Sequence, residues 1–331
     1  MDKIVPVQDN DREEFTVDVT LPPLVAVVGP TAVGKTEVGV LLAKTLRGEI
    51  VSADSMLIYR YMNIGTAKPN EDEMCDIPHY MLDIIDPDEE YSVALYQEAA
   101  EEYIKDIYHK GKYPLLVGGT GLYIRSVTDH YNFSRAEINC EYRIELNRLA
   151  DLQGNDYLHN LLKVVDPLAA ERIHLNDRKR IIRALEVFDH TGRPISSFHD
   201  KDMYEKPKYN LHIFGLSMER SKLYSRIEHR VDKMLEQGLL EEVKSLLDRG
   251  YTTDLTSMKG LGYKEIASYL SGTLSLTEAV EMLKRNTRRF AKRQLTWFKR
   301  DSRIKWLNID ERQSIHEVVQ EIIMILAGVR R

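Results

Sequence analysis

Eight consecutive residues, Gly29-Pro30-Thr31-Ala32-Val33-Gly34-Lys35-Thr36, match the pattern GxxxxGK[ST]. The glycines let the backbone curl so that successive N–H groups converge on phosphate oxygens. A helix starting at the end of the loop aims its positive end at the same point. Lys35 adds a cation for the terminal phosphate, and the Thr36 hydroxyl can ligate Mg²⁺. A phosphorylated ligand follows from this loop, but its identity does not. The Asn-Lys-x-Asp motif that would signal guanine is absent from the sequence. Tyr80-Met81-Leu82-Asp83 could end a strand on a metal-binding acid, as in a switch ATPase, or Asp83 could simply cap that strand.

Two further groups carry chemistry. Asp54 ends the apolar stretch Val51-Ser52-Ala53-Asp54. A carboxylate at the carboxyl end of a strand can orient a nucleophile or take its proton, and it can equally cap the next helix. Gly118-Gly119-Thr120-Gly121 permits close approach of backbone to a ligand and adds a hydroxyl, or is a plain strand-to-helix turn. Basic side chains gather in a third pattern. On a helix through 284–300, Arg285, Arg288, Arg289, Lys292, Arg293, Lys299 and Arg300 share one sector, with Leu283, Phe290, Ala291, Trp297 and Phe298 opposite. No acid lies between Lys284 and Arg300. An unneutralised row of that length predicts a polyanionic partner such as a nucleic-acid backbone. Arg178-Lys179-Arg180 with Arg183 forms a second cluster, opening a helix after Asn176-Asp177. Arg226 and Arg230, four residues apart, could contact phosphate or form a structural ion pair with Glu228.

The elements that must position these groups are legible as apolar runs. Leu24 to Val28 is apolar throughout, as in a strand buried on both faces. Similar runs recur at 49–52, 80–85, 114–117, 211–216 and 304–309, with amphipathic helices expected at 37–46 and 93–109. Strand alternating with helix predicts an α/β fold, a parallel sheet flanked by helices. The rhythm breaks after Gly121. Residues 130–204 read as a charged helical insertion, closing at the turn Thr191-Gly192-Arg193-Pro194, while 21–129 and 205–331 form the core. Residues 1–20 are expected to be a loose acidic tail, and long helices are expected at about 219–249 and 276–300.

Composition sets the outer bounds. The chain has 331 residues, 43% of them hydrophobic and 30% charged, which excludes long-range disorder and allows one large domain or two ordinary ones. The net charge of −6 hides segregation. Residues 70–102 carry twelve acids and no Lys or Arg, and residues 284–305 carry ten Lys or Arg against Asp301 alone. A polyanionic partner is therefore compatible with the acidic total. Cys75 and Cys140 are too few for a disulfide framework or a four-ligand zinc site, which predicts free thiols. With no signal-like segment and no apolar run near the roughly 18 residues of a membrane span, the expectation is a cytoplasmic monomer without a membrane partner.

From about Pro23 to Trp306 the chain resembles the bacterial tRNA dimethylallyltransferases, also called tRNA isopentenyltransferases. The matching segments begin with the phosphate loop, Ser52-Ala53-Asp54-Ser55-Met56-Leu57-Ile58-Tyr59, Gly65-Thr66-Ala67-Lys68-Pro69 and Gly118-Gly119-Thr120. They continue with Asp166-Pro167, Asn176-Asp177, Arg183-Ala184-Leu185-Glu186-Val187, Arg226 to Arg230, Gly262-Tyr263-Lys264 and Ala291-Lys292-Arg293-Gln294-Leu295-Thr296-Trp297-Phe298. The resemblance implies a P-loop NTPase-like core that holds dimethylallyl diphosphate in residues Gly29, Pro30, Thr31, Ala32, Val33, Gly34, Lys35 and Thr36, with Mg²⁺ on Thr36. It implies transfer of the dimethylallyl group to N6 of the adenosine just 3′ of a tRNA anticodon, with release of diphosphate. Asp54, Arg230, Lys35 and Thr120 are the implied catalytic residues. The implied tRNA contacts are Asp54, Ser55, Met56, Leu57, Thr120, Arg143, Lys179, Arg180, Arg183, Lys259, Gly262, Tyr263, Lys264, Lys292, Arg293, Trp297 and Lys299, with the insertion clasping the anticodon stem-loop. One departure is Pro78-His79-Tyr80, where the family often has two histidines. Eukaryotic relatives can carry a C-terminal zinc finger; no Cys/His pairs stand in that region here, so no metal besides Mg²⁺ is implied.

Two readings of other classes compete. An ATP-dependent nucleoside or polynucleotide kinase would use the loop and Asp54 as base. A nucleotide-switched RNA-binding protein would explain the basic faces and leave Asp54 idle.

Overall fold

The computed structural model describes residues 21–130, 139–198 and 207–328. The tail expected over 1–20 and the boundary expected at 204 lie outside the described residues. The chain divides into two compact units, Met1–Thr128 with Pro207–Arg331, and Asp129–Lys206.

The first unit is built on six parallel strands, β1 (Pro23–Val28), β2 (Gly48–Ala53), β3 (His79–Tyr80), β4 (Tyr113–Gly118), β5 (Asn210–Ser217) and β6 (Ile304–Asn308), in the order β3-β2-β4-β1-β5-β6. Strand periodicity divides β1 between two cores. Leu24, Ala26 and Val28 pack with Tyr96, Tyr123 and Ile213, while Val25 and Val27 pack with Val38, Leu42 and Phe214. Both faces exclude water, so the strand carries no polar residue. Before the second unit the helices are α1 (Lys35–Leu46), α2 (Glu71–Met74), α3 (Val93–His109) and α4 (Gly121–Thr128). The second unit contains α5 (Cys140–Gln153), α6 (Asn155–Val165), α7 (Pro167–Arg172) and α8 (Arg178–Thr191) around its own core of Leu146, Leu158, Leu162, Ile181 and Leu185. The first unit then resumes with α9 (Arg220–Glu236), α10 (Leu239–Asp248), α11 (Tyr263–Leu270), α12 (Leu276–Phe298) and α13 (Ile315–Leu326). This is the expected P-loop-like α/β architecture, a parallel sheet flanked by helices.

β2 and β4 lie on one side of β1, and β5 and β6 on the other. The carboxyl end of β1 therefore opens where strand order reverses, the place at which open α/β sheets bind ligands.

Two expectations are corrected. The strand expected at 80–85 stops at Tyr80, because Met81 (φ 65) and Asp83 (φ 53) are left-handed and turn the chain out of the sheet; Ile85 keeps one isolated bridge, to Tyr59. The long helix expected at 219–249 is two, α9 and α10, broken where Gly238 takes φ 98.

Candidate active site

The loop that leaves β1 reaches α1 through Gly34, which takes φ 98 as helix N-cap and supplies no side-chain cap. The first amides of α1 are thus left for an anion. Thr36 is exposed in that first turn. Lys35 Nζ donates to Pro30 O at 2.8 Å, folding the ammonium over its own loop. Burial pushes the Lys35 pKa down to about 8; the Asp54 charge opposes the fall and Arg230 adds to it. α9 sends Arg230 to the same loop, where NH1 donates to Thr31 Oγ1 at 3.1 Å. Burial lowers Arg230 too, against the pull of Asp54 and Glu73, but a guanidinium stays charged at neutral pH. Two cations and one carboxylate are therefore within electrostatic reach of each other around one phosphate loop.

Arg226 reaches the loop from one turn earlier in α9: its NH1 lies 3.9 Å from where a Cβ on Gly34 would sit. The ion pair with Glu228 that spacing allowed is not made by Arg226 or Arg230. Glu228 instead accepts from Arg288 of α12 at 2.5 Å.

Asp54 follows β2 directly. Its Oδ1 accepts from Met56 N at 2.9 Å, closing a turn on its own backbone, and no helix begins there to be capped. Among the described residues Oδ2 has no hydrogen-bond partner. β4 brings up Thr120: its N–H donates to Ala53 O at 3.0 Å, and its Oγ1 accepts from Ser55 N at 3.0 Å. This approach needs glycine, because a Cβ on Gly118 would overlap Ala53 O. Asp54, Ser55 and Thr120 are thus locked together at adjacent strand ends.

Behind them lies a residue that the sequence carries only as one position of the matched segment Ala291–Phe298, within the stretch from Lys292 to Lys299 that the resemblance assigns to tRNA. Gln294 of α12 is 5% exposed. Its Oε1 accepts from Thr31 N at 2.8 Å and its Nε2 donates to Gly119 O at 3.0 Å. The available signal was a lone amide on the apolar side of an amphipathic helix. Glu242 of α10 was missed too. It accepts from Asn63 N at 2.8 Å, Ile64 N at 2.7 Å, Gly65 N at 3.0 Å and Tyr263 Oη at 2.7 Å, so one carboxylate gathers the 63–65 loop and the start of α11. No helix or strand period marks such a position.

The other sequence-derived sites separate into exposed and buried. Lys292 and Arg293 are exposed, in line with Arg285 and Arg289 along α12, and so are Lys299 and Arg300, just past its end. The row is not wholly unneutralised, which corrects the expectation: α9 supplies Asp232 to Lys284 at 2.6 Å and Glu228 to Arg288. Trp297 packs on Gly121, and Met56 packs on Gly260. Leu57 is half-buried beside them. Lys259 and Lys264 are exposed, whereas Tyr263 is buried against Gly65 and Gly262 caps α11 with φ 92. Tyr263 thus shapes the surface from below, and its ring is not a surface contact. Asp83 pairs with Lys68 at 2.5 Å, and with φ 53 it stands past the end of β3 and not on the strand it could have capped.

In the second unit, Glu186 is 1% exposed and accepts from Arg143 Nε (2.7 Å), Arg143 NH2 (2.9 Å), Arg183 NH1 (2.6 Å) and Asn139 N (3.0 Å). Burial would raise its pKa, but the hydrogen bonds from Arg143 and Arg183 hold it below the ordinary glutamate value. Arg178 pairs with Asp151 at 2.6 Å and Arg180 with Asp177 at 3.4 Å. Lys179 is exposed.

Residues 57–301 match the family model described as IPP transferase. The chain belongs to this family. It is 51% identical over 300 residues to the tRNA dimethylallyltransferase of Carboxydothermus hydrogenoformans, covering 91% of this chain and 96% of the relative. With that of Desulforudis audaxviator the identity is 56% over 290 residues, 88% of this chain and 93% of the relative. The crystal structure of the tRNA isopentenylpyrophosphate transferase from Bacillus halodurans is similar at TM-score 0.69 and 45% identity, covering 93% of this chain and 96% of the other. A eukaryotic dimethylallyltransferase acting on tRNA is similar at TM-score 0.79 and 27% identity, with coverage of 92% and 78%. The site thus sets two cations, Lys35 and Arg230, at the loop after β1, and a carboxylate, Asp54, at the end of β2, with β4 between the two strands.

Proposed function

We propose that the protein transfers a dimethylallyl group from dimethylallyl diphosphate to N6 of the adenosine just 3′ of the anticodon in tRNA. The observation that carries this reading is the convergence of Lys35 and Arg230 on one loop, with Asp54 within electrostatic reach, in a chain of this family that carries an exposed basic helix.

The loop recognises phosphate oxygens and not the group attached to them. Lys35, Arg230 and the amides at the start of α1 bind the diphosphate and gain strength as the allylic C–O bond breaks and charge moves onto the departing oxygen. The adenine amine is a weak nucleophile, because its lone pair is delocalised into the ring. Asp54 hydrogen-bonds N6–H, orients the lone pair towards the allylic carbon, and takes the proton as the N–C bond forms. Thr120, held on Ser55, borders the flipped base. Diphosphate leaves, and the proton remains on Asp54 until water removes it.

Among the described residues no group of three or more His, Cys, Asp or Glu could cage a metal. Mg²⁺ is commonly held by substrate phosphates and one or two protein oxygens; here the exposed Thr36 hydroxyl at the start of α1 would hold it. A bound Mg²⁺ would offset diphosphate charge.

The exposed row on α12 binds the phosphates of the anticodon stem-loop, as do Lys259 and Lys264. In the second unit Lys179 and Arg180 serve the stem, and Arg143 and Arg183 do so from their places on Glu186. No helix among the described residues is long and apolar enough to cross a membrane; we assign the protein to the cytoplasm, as a monomer, with its tRNA substrate.

The test is incubation with unmodified tRNA, Mg²⁺ and labelled dimethylallyl diphosphate. Label on tRNA is expected. Label absent from tRNA, with phosphate from ATP appearing on RNA or a nucleoside, would overturn the reading in favour of the kinase.

A further inference from the structure

We infer that Gln294 is a positioning residue that sets the donor site and the acceptor site in register. The inference rests on the function proposed above.

Only one orientation of the Gln294 amide satisfies its surroundings. The Thr31 N–H requires an acceptor and the Gly119 carbonyl requires a donor, so Oε1 faces the phosphate loop and Nε2 faces the turn after β4. Each partner leads directly to a reacting region. Thr31 carries, on its hydroxyl, the hydrogen bond from Arg230. Gly119 precedes Thr120, which holds Ser55 next to Asp54. A single buried amide therefore bridges the leaving-group side and the nucleophile side. Gly119 has no room for a side chain, since a Cβ there would overlap Gln294 Nε2.

The helix itself supplies the third connection. Gln294 points inward from α12 between Lys292 and Arg293, which are exposed, and Trp297, which packs on Gly121. Ala291 and Phe298 are buried on either side and fix the helix against the sheet. A tRNA that engages the outer face of α12 thus bears on an element whose inner face holds both substrate sites. A loose bridge would misplace the allylic carbon relative to N6, and misplacement of about 1 Å costs on the order of a hundredfold in rate.

Gln294→Met keeps the length of the side chain and removes both hydrogen bonds. Expected are a kcat lower by roughly tenfold to a hundredfold, a raised KM for dimethylallyl diphosphate, and a tRNA dissociation constant within about twofold of wild type. Gly119→Ala displaces the same amide from the other side and should give the same signature. The double variant should be little worse than either single one, since both break one bridge. An unchanged kcat in Gln294→Met, fully additive losses in the double variant, or a fall in tRNA affinity matching the fall in kcat would each overturn the inference; the last would make Gln294 a tRNA contact. Wild type assayed beside the variants separates the two readings, because absence of dimethylallyl transfer by wild type counts against the function and not against the bridge.

Discussion

Arg230 NH1 donates to Thr31 Oγ1 at 3.1 Å, so a guanidinium from α9 is tied to the second variable position of the phosphate loop, 199 residues away in sequence. The bond pins the cation where a diphosphate must arrive. Arg230→Lys keeps the charge and loses the planar fork, so donor KM should rise and kcat should fall by about tenfold to a thousandfold, with tRNA affinity unchanged. Steady-state kinetics with each substrate varied checks this; a tRNA-specific defect would place Arg230 on the acceptor side.

Asp54→Ala should lower kcat by about 10²–10⁴ and leave the tRNA dissociation constant within about threefold. Single-turnover transfer at saturating tRNA measures the first and filter binding the second. Equal losses in both would show that Asp54 mainly binds.

Lys35 gives a pH signature. Its charged form pairs with diphosphate, and its pKa lies at about 8. kcat/KM for the donor should therefore fall as pH rises through about 8, and a flat profile from pH 7 to 9 would refute this. The stability effect has the opposite sense. Folded Lys35 releases its proton at about 8, while an unfolded lysine does so near 10.4. Between those values the unfolded chain binds more protons, so stability rises with pH. At pH 7 the folded chain bears the full cost of the buried ammonium, so Lys35→Met should be inactive yet more stable, by on the order of 1–2 kcal/mol after allowance for solvent. A thermal melt reads that difference.

Glu186→Ala should destabilise the second unit by roughly 1–3 kcal/mol, since it removes the buried acceptor that Arg143, Arg183 and Asn139 N share. Faster hydrogen exchange confined to α5 and α8 is the expected readout. Because the folded Glu186 pKa is lowered, its contribution is present above the unfolded glutamate value of about 4.3 and is lost as pH falls below it. Protection of α5 and α8 that is indifferent to acid would contradict the pairing.

Lys292→Ala and Lys299→Ala should each reduce the salt slope of tRNA binding by about one ion. Arg288→Ala should change that slope less, because its charge is already met by Glu228. Equal slopes for all three variants would remove the distinction between free and paired positions on α12.

Local signals survive in this sequence wherever one element meets one requirement. Residues 93–109 were expected to be helical and α3 spans Val93–His109, because its period needs only a sheet to lie on. The 80–85 run is apolar enough for a strand, yet the positive φ values of Met81 and Asp83 come from the path of the chain and leave no mark in hydropathy. The neutralisation of Arg288 is hidden from the sequence for a related reason. Its partner Glu228 stands sixty residues earlier, and charge counted along one helix cannot see acids on its neighbour.

By itself the sequence determined the α/β class, the phosphate loop and the family, since apolar runs, a contiguous glycine-lysine motif and ordered short motifs are properties of neighbouring residues. Tertiary structure alone decided which cations stay unpaired, that Glu228 pairs with Arg288 and not with Arg226 or Arg230, and that Gln294 and Glu242 hold loops from four parts of the chain. Those roles are set by hydrogen bonds between residues as far as 263 positions apart. Such bonds exist only after burial has brought their partners within about 3 Å and stripped them of water.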